Sequence, residues 1–252
     1  MALDRQTARY RTRHGGTPAD LVAAQELRHR AFVEAAGLPP RSGGLDRDRF
    51  DAVSRHVLIE DTATGTPVCT FRYRVLSPAD AAADSYTGAL YDLAPLVALA
   101  GPMVELGRFC VAPGAADPDA LRLAWARLTR IVDEAEATLL FGCASFAGAD
   151  PARHADSLAC LAARHPAPPG LSPGRRAPAT VALPTSGDPA SGWRAMPALL
   201  RTYLAMGGWT SDHAVIDREM DTVHVFTAVE TARVPPARAR ALRALAEAAA
   251  GG

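Results

Sequence analysis

Apolar residues recur along this chain with two different periods. In ADLVAAQELRHRAFVEAAGL, Leu21, Ala24, Leu27, Ala31 and Val33 fall at helical spacing, and Gly37 with Pro39 predicts the stop. A polar loop, RSGGLDRDRFDAVSR, leads to HVLIED, and GTP turns the chain into VCTFRYRVL, where Phe71, Tyr73 and Val75 alternate with Thr70, Arg72 and Arg74. That alternation predicts two antiparallel strands. MVELGRFCV reads as the next strand. DALRLAWARLTRIVDEAE reads as a helix with Leu121, Trp125, Leu128, Val132 and Ala135 on one face, and LLFGCASF as a short apolar strand. From Ala149 to Trp193 the pattern weakens, and its prolines and glycines predict an irregular insertion rather than a second domain. Order resumes with MPALLRTYLAMGG as a helix, HAVID and VHVFTAV as strands, and PPARARALRALAEAAA as a closing helix. The sum predicts an α+β fold: a basic tail over residues 1–18, one domain over 19–234 with the insertion at about 150–195, and a terminal helix over 235–252. The central sheet is expected to be mixed, mostly antiparallel, and flanked by helices.

MVELGRFCV departs from the usual strand pattern by carrying two charges. In a regular strand Met103, Glu105, Gly107, Phe109 and Val111 share one face and Arg108 points to the other. Gly107 predicts a bulge that re-aims Glu105 or Arg108 and leaves backbone N–H groups for a ligand. An internal ion pair is the alternative, since buried charges persist only when paired. This stretch alone leaves both open.

Composition changes the picture little. At 252 residues and 48% hydrophobic, the chain can build one large domain or two small ones. Its 27 basic residues, all arginine, balance 27 acidic ones, so net charge gives no indication of a nucleic-acid partner. Cys69, Cys110, Cys143 and Cys160 form no C-x-x-C pair and lack zinc-like spacing to histidines, which predicts small reduced core residues. No eighteen-residue window is free of charge and the N-terminus lacks an apolar signal region, so a cytoplasmic chain that spans nothing is expected.

Five segments in order carry a resemblance: AAQELRHRAF on the first helix, LDRDRFD before a histidine-led strand, ELGRFCV, LLFGCASFAGADP and MPALLRTYLAMGG. From about Gln25 to about Val225 the chain resembles the ornithine–acyl carrier protein N-acyltransferases, GNAT-like enzymes related to the acyl-homoserine-lactone synthases. It departs from their pattern at APGAADPD, where an Arg-containing turn is expected, and at Arg201, Asp221 and His224, where lysine, asparagine and aspartate are expected. The resemblance implies a GNAT-like fold and the first step of ornithine-lipid synthesis, transfer of a long-chain acyl group, with or without a 3-hydroxyl, to an α-amino group. It implies no metal and no bound cofactor, the donor being carried on the phosphopantetheine of acyl carrier protein.

The resemblance also implies a site. Glu105 would serve as base and His56 as a second proton carrier, although a strand-start histidine bonded to backbone is an equal reading. Asp46, Asp48 and Asp51 would hold a small cationic amino acid, or form a solvated acidic loop, with Arg28, Arg72 and Arg108 pairing against them or reading the substrate carboxylate. Phe109, Cys110, Val111 and Ser145 would line the donor path. APGAADPDA lacks the Q/R-x-x-G-x-G/A loop that holds a pyrophosphate, which favours a carrier protein over coenzyme A. Arg122, Arg127 and Arg130 would meet that acidic partner or form an ordinary solvated helix face. Two other outputs remain: an autoinducer-type synthase or coenzyme A-dependent N-acetyltransferase, and a non-catalytic module that binds acyl chains or a carrier. Arg238, Arg240 and Arg243 beside Leu242 and Leu245 suggest a weak peripheral contact with the inner face of the cytoplasmic membrane.

Overall fold

The computed structural model describes residues 9–114 and 117–250. The first eight residues of the expected tail, and Ala115 and Ala116 of the APGAADPD turn, lie outside the described residues. The strands are β1 Tyr10–Gly15, β2 Arg55–Asp61, β3 Pro67–Leu76, β4 Tyr91–Asp92, β5 Met103–Val111, β6 Leu139–Ala147, β7 Gly174–Arg175, β8 Thr180–Ala182, β9 Trp209–Asp217 and β10 Thr222–Glu230. The helices are α1 Pro18–His29, α2 Pro78–Asp84, α3 Pro118–Glu134, α4 Ala155–Arg164, α5 Pro189–Ala195, α6 Ala198–Ala205 and α7 Pro236–Ala250. The described residues divide into two compact units, the first made of 9–72, 108–114, 117–131 and 239–250 and the second of 73–107 and 132–238.

In the first unit β2 lies between β1 and β3, and β1 pairs antiparallel with β2 from Tyr10 opposite Asp61 to Gly15 opposite His56. This corrects the expected tail. Arg11 and Arg13 read as solvated charges, but their guanidiniums donate to the two oxygens of Glu60 at 3.0 and 2.9 Å, and Glu60 is buried on β2. Helix α1 starts where Thr17 and Asp20 form a reciprocal capping box followed by Pro18. Its apolar side buries Ala24 and Leu27, and a π-helical turn over Arg30–Glu34 extends it.

In the second unit the strand order is β5-β6-β10-β9-β8. β5 and β6 run parallel, while β10 pairs antiparallel with both β6 and β9 and β8 pairs antiparallel with β9. One apolar cluster contains Tyr91, Leu93, Leu96, Met103, Phe141, Trp209 and Phe226, and another contains Phe146, Leu158, Leu161, Leu200, Leu204, Val223 and Val225. The stretch expected to be irregular is largely ordered. Its Asp-Pro pairs start structure rather than interrupt it: Asp150 and Asp188 accept the N–H groups of Ala152 and Ala190, with Pro151 and Pro189 in the first turn. Helix α4 then buries Leu158, Cys160 and Leu161, and α5 packs against it so closely that a side chain at Gly192 would lie 2.2 Å from the Asp156 carbonyl oxygen.

Candidate active site

The first unit gathers most of the expected acceptor residues into a buried network. Arg28, 1% exposed, donates from Nε to Asp46 Oδ2 at 2.9 Å and from Nη1 to Asp51 Oδ1 at 2.7 Å. Arg72 donates to Asp48 Oδ1 and Asp51 Oδ1, both at 2.6 Å, and again to Asp48 Oδ2 at 2.9 Å. Arg108 approaches Asp46 and Asp48, each at 3.1 Å. Two members carried no signal in the sequence: Gln25 donates to Asp51 at 2.9 Å from α1, and Arg41 donates to Asp46 at 2.5 Å from a loop. Four guanidiniums therefore face three carboxylates.

Every oxygen of the three aspartates is matched. Asp46 and Asp51 are buried, so they do not present themselves to a small cation, and Asp48 alone keeps about a fifth of its side chain exposed. The loop is thus an ion-pair core rather than a solvated acidic surface. Burial pushes the Asp51 carboxyl up, but the hydrogen bond and charge of Arg28, with help from Gln25 and Arg72, hold it well below its ordinary value. Asp48 is lowered in the same way, with burial overcome by Arg72 and Arg108. His56 is buried beside this network with Nε2 3.0 Å from the Asp51 carbonyl oxygen. Burial lowers its pKa, so it is neutral near pH 7.

The kink expected at Gly107 falls one residue later. Arg108 has a φ of 52°, in the left-handed region where a bulky residue is uncommon. Phe109 stacks on Phe71 at 5.6 Å between ring centroids and lies 6.2 Å from Trp125, and Cys110 is buried with its thiol pushed up to about 12 by burial. Cys110 is a packed core group here, whereas Phe109 and Val111 are half-buried. On α3, Arg122 is exposed and pairs with Asp119 at 3.7 Å. Arg127 faces His14, and with Arg13 and Arg130 they line a groove of about 350 Å³.

In the second unit Glu105 is 5% exposed, and its Oε1 accepts the backbone N–H of Thr87 at 2.7 Å. Thr87 has no residue-type signature for this role, because the contact uses its main chain. Tyr91, fully enclosed, donates to the His224 carbonyl oxygen at 2.8 Å and lies 5.2 Å from the His213 ring. Cys143 is half-buried, with Sγ 4.0 Å from Thr87 Oγ1, and Ser145 is exposed opposite His224. Among the described residues no group of three or more His, Cys, Asp or Glu is placed to hold a metal.

An acetyltransferase (GNAT) domain family matches residues 27–126. Over 88% of this chain, and 90% of its own length, the L-ornithine N(alpha)-acyltransferase of Rhodobacter capsulatus is 35% identical. The chain belongs to the L-ornithine N(alpha)-acyltransferase family. A second relative of that name, from Brucella abortus, is 32% identical over 86% of this chain and 82% of its own. Among solved structures, that of a CoA-dependent acyl-homoserine lactone synthase, BjaI, has a TM-score of 0.50 with 11% identity and covers 92% of this chain and 83% of its own, a likeness of fold. This member of the L-ornithine N(alpha)-acyltransferase family is accordingly a GNAT-fold acyltransferase, an enzyme that takes an acyl donor and an amine acceptor.

Proposed function

We propose that this chain transfers a long-chain acyl group from acyl carrier protein to the α-amino group of ornithine. The observation that carries the reading is the 35% identity to an L-ornithine N(alpha)-acyltransferase across nearly the whole of both chains. An α-amino group near pKa 8 is mostly protonated at pH 7 and attacks only when neutral. Glu105, directly or through a held water, takes its proton as the nitrogen forms a bond to the thioester carbon. The carbon–sulfur bond then breaks, the pantetheine thiolate leaves, and it is protonated from the same carboxyl group or from solvent. No covalent enzyme intermediate is required. Arg108 and Asp48 each keep part of their side chains exposed and suit the carboxylate and the ammonium of a zwitterionic acceptor.

Two features support a carrier protein as donor. The APGAADPDA turn lacks the glycine-rich pyrophosphate loop, and the groove beside α3 presents Arg13, His14, Arg127 and Arg130, a charge pattern that suits an acidic partner. Purified enzyme should acylate ornithine much faster from acyl carrier protein than from the same chain on coenzyme A, with a rate that falls as salt is added. Equal efficiency on the two donors would overturn the carrier assignment. Absence of acyl-ornithine from the lipid extract of a host without ornithine lipids, despite soluble expression, would overturn the reaction itself.

A further inference from the structure

Glu105 is held by a main-chain donor, and the turn that supplies this donor is itself held from the 150–195 stretch. After α2 the chain folds back on itself through residues 85–91. Ala89 donates to the Ser85 carbonyl oxygen at 3.0 Å, and Leu90 and Tyr91 donate to that of Thr87 at 3.0 and 2.9 Å. The Gly88 N–H goes to Ser85 Oγ at 2.7 Å, and that buried hydroxyl donates to the Ala81 carbonyl oxygen at 2.6 Å. The Thr87 N–H is left for Glu105, whose Oε1 accepts it at 2.7 Å. Gly88 admits no side chain, because its first carbon would lie 2.6 Å from the Ala81 carbonyl oxygen and 2.8 Å from Ser85 Oγ.

Residues 174–177 fix this turn a second time. β7 pairs antiparallel with β4, Gly174 opposite Asp92 and Arg175 opposite Tyr91, and the Ala177 N–H donates to the Leu90 carbonyl oxygen at 2.9 Å. Those are main-chain bonds that many residues could make. Arg176 adds a bond that belongs to its side chain: Nη1 donates to the Gly88 carbonyl oxygen at 2.6 Å while Nη2 donates to Asp92 Oδ1 at 3.0 Å. About two-fifths of the Arg176 side chain is exposed, so core packing does not call for an arginine here. The guanidinium spans the turn from Gly88, the neighbour of Thr87, to the start of the β4–β7 ribbon. A carboxylate held at one oxygen has a set direction for the other, and a general base must reach its proton within about 2.6–3.2 Å.

We propose that Arg176 is a positioning residue for the acyl transfer: by clamping the Gly88 carbonyl it fixes the turn whose Thr87 N–H aims the Glu105 carboxylate at the acceptor amine. This rests on Glu105 acting as the base, as read above. The 174–177 segment is then a strap over the turn, and the proton still passes from the amine nitrogen to Glu105.

The test combines Arg176→Ala, Glu105→Gln and the double variant, assayed with ornithine and a long-chain acyl group on acyl carrier protein. Arg176→Ala should lower kcat by about ten- to a hundredfold, as expected for a misplaced catalytic group, with KM for both substrates within about twofold of wild type. Its melting temperature should stay within about 4 °C. In the Glu105→Gln background Arg176→Ala should cost nothing further, since both act through one carboxylate. The Thr87 amide proton, bonded to a carboxylate, should resonate downfield in the wild type and move upfield in Arg176→Ala. An unchanged kcat, a loss confined to KM, a full multiplication of the two losses in the double variant, or an unmoved Thr87 signal overturns the assignment. If the wild type yields no acyl-ornithine, or Glu105→Gln turns over near-normally, the functional reading has failed instead. The Thr87 signal then decides by itself whether Arg176 holds the turn against Glu105, and an unmoved signal overturns that too.

Discussion

Glu105 and Arg108 lie three residues apart on β5, yet each charge is met by a different partner: a backbone N–H for the acid and two aspartates for the base. Their replacements should therefore have different signatures. Glu105→Gln keeps the shape and the acceptor for the Thr87 N–H, so it should unfold at the wild-type temperature while kcat falls by roughly two to four powers of ten. Near-normal turnover would remove Glu105 as the base. Arg28→Ala should do the opposite and act on stability, because it leaves Asp46 and Asp51 buried with reduced compensation; a loss of about 3–5 kcal/mol is expected in denaturant melts. Arg108 separates two effects in one residue. Its left-handed φ costs about 1–2 kcal/mol for any side chain but glycine. Arg108→Gly and Arg108→Ala both lose the ion pairs, so the glycine variant should be the more stable by about that margin. Equal stabilities would mean that the backbone relaxes without strain.

Among the elements, those with a one-sided apolar stripe or a strict alternation were readable from sequence: α1, α3, β3, β5 and β10 all lie where their patterns place them. β1 was not, because the carboxylate that neutralises Arg11 and Arg13 comes from Glu60, some fifty residues away. The 150–195 stretch was misread because proline signals both a break and a first helical turn, and the aspartate before it decides which. In the candidate site, Arg28, Arg72, Arg108 and the three aspartates were found through the resemblance. Gln25 and Arg41 join them by position alone, and Thr87 contributes only main chain.

The loop between α1 and β2, with the start of β2, also sets an acid response. His56 has a depressed pKa because it is buried, so the unfolded chain binds its proton first, and stability should decline as pH falls below about 6.5. Asp48 and Asp51 are lowered by their arginines. Their contribution is complete above about pH 4 and is lost as pH falls further toward their native-state values. Denaturant melts across pH should show two declines in this order, and His56→Gln should abolish the first contribution from this residue while sparing the second.

For the whole molecule, no helix among the described residues is long and apolar enough to cross a membrane. Helix α7 is the candidate for a surface contact, but Leu242 and Leu245 are half-buried and Ala246 is buried, so the protein itself occupies the side a bilayer would need. Arg238, Arg240 and Arg243 remain exposed. Binding to anionic vesicles should therefore be electrostatic: present at low salt, lost within a few hundred millimolar salt, and insensitive to Leu242→Ser. Co-sedimentation that persists at high salt would indicate apolar insertion instead.

The buried network has a further consequence on the alkaline side. Its cations, Arg28, Arg41, Arg72 and Arg108, are all guanidiniums, and for Arg72 burial is outweighed by the hydrogen bond to Asp48, which raises its pKa above the ordinary value, whereas the ammonium of a lysine ordinarily discharges from near pH 10. The proposed acceptor becomes nucleophilic over that same interval, as its α-amino group passes through pKa 8. Arg72, which bridges Asp48 and Asp51, therefore keeps its charge while the substrate ionises. Between pH 7 and pH 10 the activity profile should trace the acceptor's own ionisation, rising to a plateau with no structural fall beyond it, and an acceptor of lower amine pKa should move the rise by an equal amount.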